Sequence, residues 1–364
     1  MLNRLRLLQL PRRHFSSTLR LSSTKIWPAF LTEDLPSDTT TLTLRTGCGT
    51  KPYGPRVVQS LPQLESLEFH DIHMNTIYED LLKALYSRPV QSIRFSNAKF
   101  EDQQSFSTFV GLFSQLTNLD CHQVSVKNPR RMPVEERSSA LHTFRSNQSP
   151  DIWRLALNGS LGSNEILRKV TLNDVTYSDI PFVGLFLQRS STAGALEELN
   201  VTHDHARQSA AVKHAWKEKP PVLGVSHVRK LGIDIHGRVR DTYLRNLLEV
   251  VLQWWMKSLA PPEKESSLEQ LMIVVGMNKG SIYIAQDAGA TWKALDLLLT
   301  DGRFPALQSV RVVIKVWKPT TLKKGERQKG LIQRNCPRLK RSQKLHVTIG
   351  HVKTKDNYFM IHLF

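Results

Sequence analysis

Leu61-Pro-Gln-Leu-Glu-Ser-Leu-Glu-Phe69 sets apolar residues at positions 61, 64, 67 and 69 and mostly polar ones between. Successive side chains of a strand point to opposite sides, so the closing Leu67-x-Phe69 step predicts a strand with one buried face. The same phrase returns as Phe113-Leu116-Leu119-Cys121, Val225-Val228-Leu231-Ile233 and Phe304-Leu307-Val310-Val312. Shorter copies lack the first position: Val90-Ile93-Phe95, Ile152-Leu155-Leu157, Leu167-Val170-Leu172, Leu196-Leu199-Val201 and Leu268-Leu271-Ile273.

The last strand positions fall at Leu44, Phe69, Phe95, Cys121, Leu157, Leu172, Val201, Ile233, Ile273, Val312 and Val347. The first steps are 25, 26 and 26 residues, inside the range of about 20–29 for a leucine-rich repeat. Later steps are 36, 15, 29, 32, 40, 39 and 35. The step of 15 is too short for a full unit, which sets Leu157 and Leu172 against each other as strand positions.

Between the phrases lie one-sided helical stripes: Ile77, Leu81, Leu82 and Leu85; Leu244, Leu247, Leu248, Val251, Leu252 and Trp255; Trp292, Leu295, Leu298 and Leu299, closed by Asp301-Gly302. No such unit buries its apolar face alone, and stacking buries it. The expected fold is α/β, an irregular leucine-rich-repeat solenoid with a curved parallel sheet and helices on the convex side.

Three residues after the last strand position, regular repeats carry the Asn or Cys of their consensus. Here those positions hold Ile72, Val124, Asp204, His236 and Lys315, so no asparagine ladder and less uniform turns are expected. Loops are expected at 46–56, 127–151, 202–222 and 257–267. The alternation leaves Glu65, Ser66, Glu68, His70, Glu269, Gln270, Met272, Gln308, Ser309 and Arg311 on the concave face. Of these, Glu68, His70, Met272 and Arg311 are the candidate binding positions.

Of the net charge of +18, residues 311–355 carry +13, from fourteen Lys and Arg against Glu326 alone. The candidate basic patch is Lys323, Lys324, Arg327, Lys329, Arg338, Lys340, Arg341 and Lys344, and a long basic insertion is expected at about 318–337 between the last two strands. Nucleic acid is the partner such a stretch suggests, although Trp317 is its only aromatic residue. Residues 1–35 form a separate basic segment, with Arg4, Arg6, Arg12, Arg13, Arg20 and Lys25 before the first acid at Glu33. Its Arg- and Ser-rich composition matches a mitochondrial transit peptide; Leu19-Arg-Leu21 reads alternatively as the lead-in to the first repeat. The repeat domain is assigned to 36–364. No run of about 18 uncharged apolar residues occurs, so no membrane span is expected. Cys48, Cys121 and Cys336 are far apart and odd in number, which favours a reducing cytoplasmic or nuclear setting over a disulfide framework.

Ala294-Leu-Asp-Leu-Leu-Leu-Thr-Asp-Gly-Arg-Phe-Pro-Ala-Leu-Gln-Ser-Val310 resembles the closing repeat of the F-box proteins of mushroom-forming fungi. Cys336-Pro-Arg-Leu-Lys and Leu345-His-Val-Thr are similar to their final element. Leu10-Pro-Arg-Arg-His-Phe and Leu19-Arg-Leu resemble the segment that joins the F-box to the first repeat. The resemblance implies a substrate-holding adaptor of a cullin–RING ubiquitin ligase that docks on a Skp-type partner. Only ten residues precede Pro11, so it implies at most the tail of an F-box here.

No catalytic frame emerges. His203-Asp204-His205 and His70-Asp71-Ile72-His73 offer two imidazoles around a carboxylate without further ligands, and read as polar turns. His227 has no evident Ser or Cys partner. Gly159-Ser-Leu-Gly162 lacks the following Lys and Ser or Thr of a phosphate loop. The expectation is a monomeric, non-enzymatic, cofactor-free protein-interaction scaffold.

Overall fold

The computed structural model describes residues 18–21, 39–45, 54–77, 79–128, 140–157, 166–194, 196–204, 221–236, 247–260, 265–277, 289–316 and 322–351. The chain is α/β, built on one large parallel sheet. Its strands are β1 (Thr18–Leu21), β2 (Thr41–Arg45), β3 (Ser66–His70), β4 (Ser92–Ser96), β6 (Asn118–His122), β8 (Thr143–Asn147), β9 (Lys169–Leu172), β10 (Glu198–Asp204), β11 (Lys230–His236), β12 (Gln270–Met277), β13 (Ser309–Val316) and β14 (Leu345–His351). Each pairs with its neighbour in the chain, giving twelve strands in sequence order. Two further strands, β5 (Lys99–Asp102) and β7 (Ser125–Asn128), pair with each other in a small second sheet. β1 lies within the 1–35 segment, so part of that segment belongs to the sheet.

The phrase positions align across the sheet: Leu44, Phe69, Phe95 and Cys121 share one register level. They are buried in one continuous core with the inward residues of the helices. Those helices are α1 (Gly54–Gln59), α2 (Glu79–Tyr86), α3 (Gln103–Gly111), α4 (Pro150–Leu157), α5 (Ile180–Ala193), α6 (Leu247–Leu259), α7 (Gly289–Leu299), α8 (Leu322–Asn335) and α9 (Pro337–Arg341). Leu81 and Leu85 of α2 and Phe106 and Phe109 of α3 reach this core. The Phe69 and Phe95 rings stack at 5.2 Å, and Phe109 meets both edge-on.

Three sequence expectations are corrected. Ile152-Leu155-Leu157 lies in α4, not in a strand; the strand of that repeat is β8, inside the segment expected as the loop 127–151. Its phrase is Leu141-x-x-Phe144-x-Ser146, with a fully buried serine at the closing position. Cys121, Ser146 and Leu172 then align across neighbouring strands, and the steps from Phe95 become 26, 25 and 26 residues.

The turns over these repeats are also more uniform than expected. Asp71, Asn97, Gln123, Gln148 and Asp174 each follow a strand with φ between 52° and 63°. Asn and Asp tolerate that left-handed region better than most residues, which suits Asp71, Asn97 and Asp174. The backbone N–H of Asp71 donates to Ser96 O, that of Asn97 to His122 O and that of Gln123 to Asn147 O. Asn97 Nδ2 donates to Asp71 Oδ1 at 2.8 Å, and Gln123 Nε2 to Gln148 Oε1 at 2.8 Å. A polar ladder exists, one residue before the consensus position. The consensus position itself holds buried Ile72, Ala98, Val124, Ser149 and Val175.

The expected basic insertion is, from Leu322 onward, the helix pair α8 and α9. Its sequence hides this because the face of α8 that meets the sheet is made by Gly325 and Ile332. A Cβ on Gly325 would stand 3.3 Å from Ile349 Cδ1 and Val316 Cγ1. The buried carboxylate of Asp296 on α7 then accepts from the backbone N–H groups of Arg338 and Leu339 at 3.1 and 2.8 Å, satisfying the open N-terminus of α9. Cys48, His205, Leu244, positions 318–321 and the transit-like residues 1–17 and 22–35 lie outside the described residues.

Gly325→Val is expected to destabilise the protein by about 1–3 kcal/mol through overpacking, read as a lowered urea midpoint. An unchanged midpoint would show that α8 does not rest on the sheet at this contact.

Candidate functional site

The sheet has one face covered by helices, and its other face differs along its length. From β3 to β8 that face is polar. At one register level it presents Glu68, Arg94, Asp120 and Arg145 on four adjacent strands. His70 and His122 stand one step toward the strand ends. Alternate charges on neighbouring strands, about 4.8 Å apart, attract across the ladder. Arg94 Nε lies 3.5 Å from Asp120 Oδ2. Glu68 Oε2 accepts from Thr43 Oγ1 at 3.0 Å and lies 3.4 Å from His70 Nε2. The sequence-predicted Glu68 and His70 are thus brought together, both half-buried.

Burial pushes the Asp120 carboxyl above its ordinary value; Arg94, Arg145 and His122 oppose the shift, and Glu68 adds to it. Burial lowers His122, against the attraction of Asp120. The ion pair and the raised carboxyl are consistent because desolvation outweighs the Coulomb gain. The folded protein keeps the Asp120 proton to higher pH than the unfolded chain does. Its contribution to stability is therefore present at low pH and lost as pH rises through the folded value. For His122 the unfolded chain takes the proton first, so stability falls as pH drops below the ordinary histidine value.

Met272, expected on the open face, is buried. It packs with Val274 and against Val313 in a cluster separate from the main core. β12 reads Leu271-Met-Ile-Val-Val275, apolar at every position and buried throughout, the pattern of a parallel strand covered on both faces. That run of five was the missed signal. On the same face Lys315 Nζ donates to Asp234 Oδ2 at 2.6 Å, with both side chains less than a tenth exposed. Arg311 is exposed and level with Met272, so the four predicted positions split into a polar pair and a distant third, with Met272 removed.

The basic residues do come together. Lys323, Lys324, Arg327 and Lys329 lie on α8, Arg338, Lys340 and Arg341 on α9, and Lys344 just before β14, all exposed or half-exposed.

The structure gives His227 a serine that the sequence did not indicate: Ser190 Oγ lies 3.2 Å from His227 Nε2. The hydroxyl donates to Leu187 O at 3.1 Å and is fully buried. The imidazole is then the donor to that oxygen, the reverse of a general base activating a nucleophile. His203, buried, accepts the Trp255 indole N–H on Nε2 at 3.0 Å and sets Nδ1 3.2 Å from Val175 O, so it ties β10 to α6. Among the described residues, no group of three or more His, Cys, Asp and Glu side chains is placed to hold a metal ion. Cys121 and Cys336 are free and buried; burial pushes both thiols up, Cys336 to about 12. Compared with known proteins, the chain matches no protein-family model and no curated relative.

Replacing Arg94 by Met removes the strongest opposing charge and is expected to raise the Asp120 carboxyl further, followed by its carboxyl carbon shift against pH; a stationary titration would show that Arg94 does not act on it. Lys315→Ala or Asp234→Ala, each leaving a buried charge, is expected to cost about 3 kcal/mol or more, while Asp234→Leu with Lys315→Met costs far less. Additive losses in chemical denaturation would contradict that coupling.

Proposed function

We propose that this chain is a non-catalytic scaffold of the leucine-rich-repeat type, which holds a protein partner on the polar face of β3–β8, the face that none of the described helices covers. The observation that carries this reading is the row Glu68, Arg94, Asp120 and Arg145, one charged side chain per strand at one register level. Strict sequence order of parallel strands, steps of 25–26 residues and a repeated left-handed turn support the repeat assignment. The mechanism is positioning: a bound partner is held at high effective concentration for a second protein.

The likeness of 294–310, 336–340 and 345–348 to fungal F-box repeats extends the proposal to substrate recognition for a cullin–RING ligase. The β1 end would then lie nearest a Skp-type adaptor. Among the described residues no helix is long and apolar enough to cross a membrane.

The test is affinity purification of the tagged full chain with mass spectrometry, at low and moderate salt, beside an Arg94→Glu, Arg145→Glu variant. Expected are a protein partner lost from the variant and a Skp-type adaptor and cullin retained by both. A partner set unaffected by the reversal would overturn the face assignment, and absence of adaptor and cullin would overturn the ligase reading.

A further inference from the structure

The helix side of the last repeat carries a surface of a different kind. Between Lys323 and Lys344 there are nine Lys and Arg residues and one acid, Glu326. Lys323, Arg327 and Arg334 of α8 are four and seven residues apart and therefore share a face. The opposite face holds Gly325 and Ile332, seven residues apart and buried, so the row points away from the core. Gly330 falls within the row, and nothing lies within 4 Å of where its Cβ would be; no bulky side chain interrupts it. At 1.5 Å per residue the row runs about 16 Å. Arg338, Lys340 and Arg341 of α9, the helix that follows, are exposed as well.

None of these cations has a carboxylate in ion-pair range among the described residues. Arg334 Nε and Arg341 Nε donate only to carbonyls of their own helices, Gly330 O at 3.3 Å and Pro337 O at 3.4 Å. Their remaining guanidinium donors are left for an outside acceptor. The fold gives no reason for this density of like charge, which repels itself.

We propose that the α8–α9 surface binds the phosphate backbone of a nucleic acid without reading its sequence. The charge row is long and of one sign, matching a polymer of evenly spaced phosphates. A protein partner would need apolar or aromatic anchors at the centre of the contact. Residues 322–351 contain no Phe, Tyr or Trp, and Leu322 at the edge is their only large exposed apolar side chain. The same lack of aromatic residues removes base stacking. This surface lies on the helix side, so it is independent of the scaffold reading of the opposite sheet face.

The test uses the full chain and fluorescein-labelled RNA and duplex DNA of two unrelated sequences, with anisotropy between about 50 and 200 mM salt. Two triple variants are compared: Lys323→Glu, Arg327→Glu, Arg334→Glu on α8, and Arg338→Glu, Lys340→Glu, Arg341→Glu on α9. Circular dichroism melts check that both fold. Expected are equal affinity for the two sequences, and in each variant a log–log salt slope reduced by about 2–3 with at least tenfold weaker binding at low salt. Parental slope and affinity in both variants would overturn the proposal. So would competition by polyglutamate as effective, charge for charge, as by nucleic acid, or tighter binding to phosphatidylserine vesicles.

Discussion

Strands β3, β4, β6, β8 and β9 of the large sheet are each followed by a residue held in the left-handed region, and the spacing of those residues matches the register of the sheet. A parallel strand cannot return to its start without a crossover, and the turn at its end decides where that crossover begins. Because the N–H groups of Asp71, Asn97 and Gln123 donate to the next strand of the sheet, these turns are not closed until a later strand arrives. The closure of these turns therefore depends on contacts between neighbouring strands. Beyond β9 the strands lengthen to seven or eight residues. There the longer ladders take over the role of the polar turns.

The sequence made the apolar phrase visible because Leu67 and Phe69 alternate with Ser66 and Glu68, and core burial demands that alternation. It failed where a core position is filled by a residue that does not look apolar. Ser146 satisfies its hydroxyl on Ser149 O at 3.2 Å, and so occupies a leucine's place without a leucine's signature. Gly325 reads as a helix breaker, yet it lies where a side chain on α8 would press on Val316 and Ile349 of the sheet. The polar ladder was sought at Ile72 and Val124, one residue too far along, because the consensus spacing belongs to repeats whose inward turn residue is an amide. Met272 illustrates a further limit. Alternation assigns faces only when one face is wet, and β12 is buried on both.

The candidate surfaces also differ in what the sequence could reveal. A basic run is legible in one dimension, but its arrangement as an outward row requires knowing that Gly325 and Ile332 face inward. The row from Glu68 to Arg145 is the reverse case. Its members are about 26 residues apart, so only the strand register brings them to one level.

Two ion pairs on the face opposite the helices are energetically unlike. Asp234 and Lys315 are withdrawn from water, and each keeps the other from being an uncompensated buried charge. Arg94 is half exposed toward Asp120 at 3.5 Å, a geometry worth about 0–1 kcal/mol. Thr or Val at these strand positions would stabilise the sheet as well or better. With one carboxyl partly desolvated against its own ionisation, the Arg94–Asp120 pair adds little to folding, so the partner contact proposed for this row would be made at small cost to the fold.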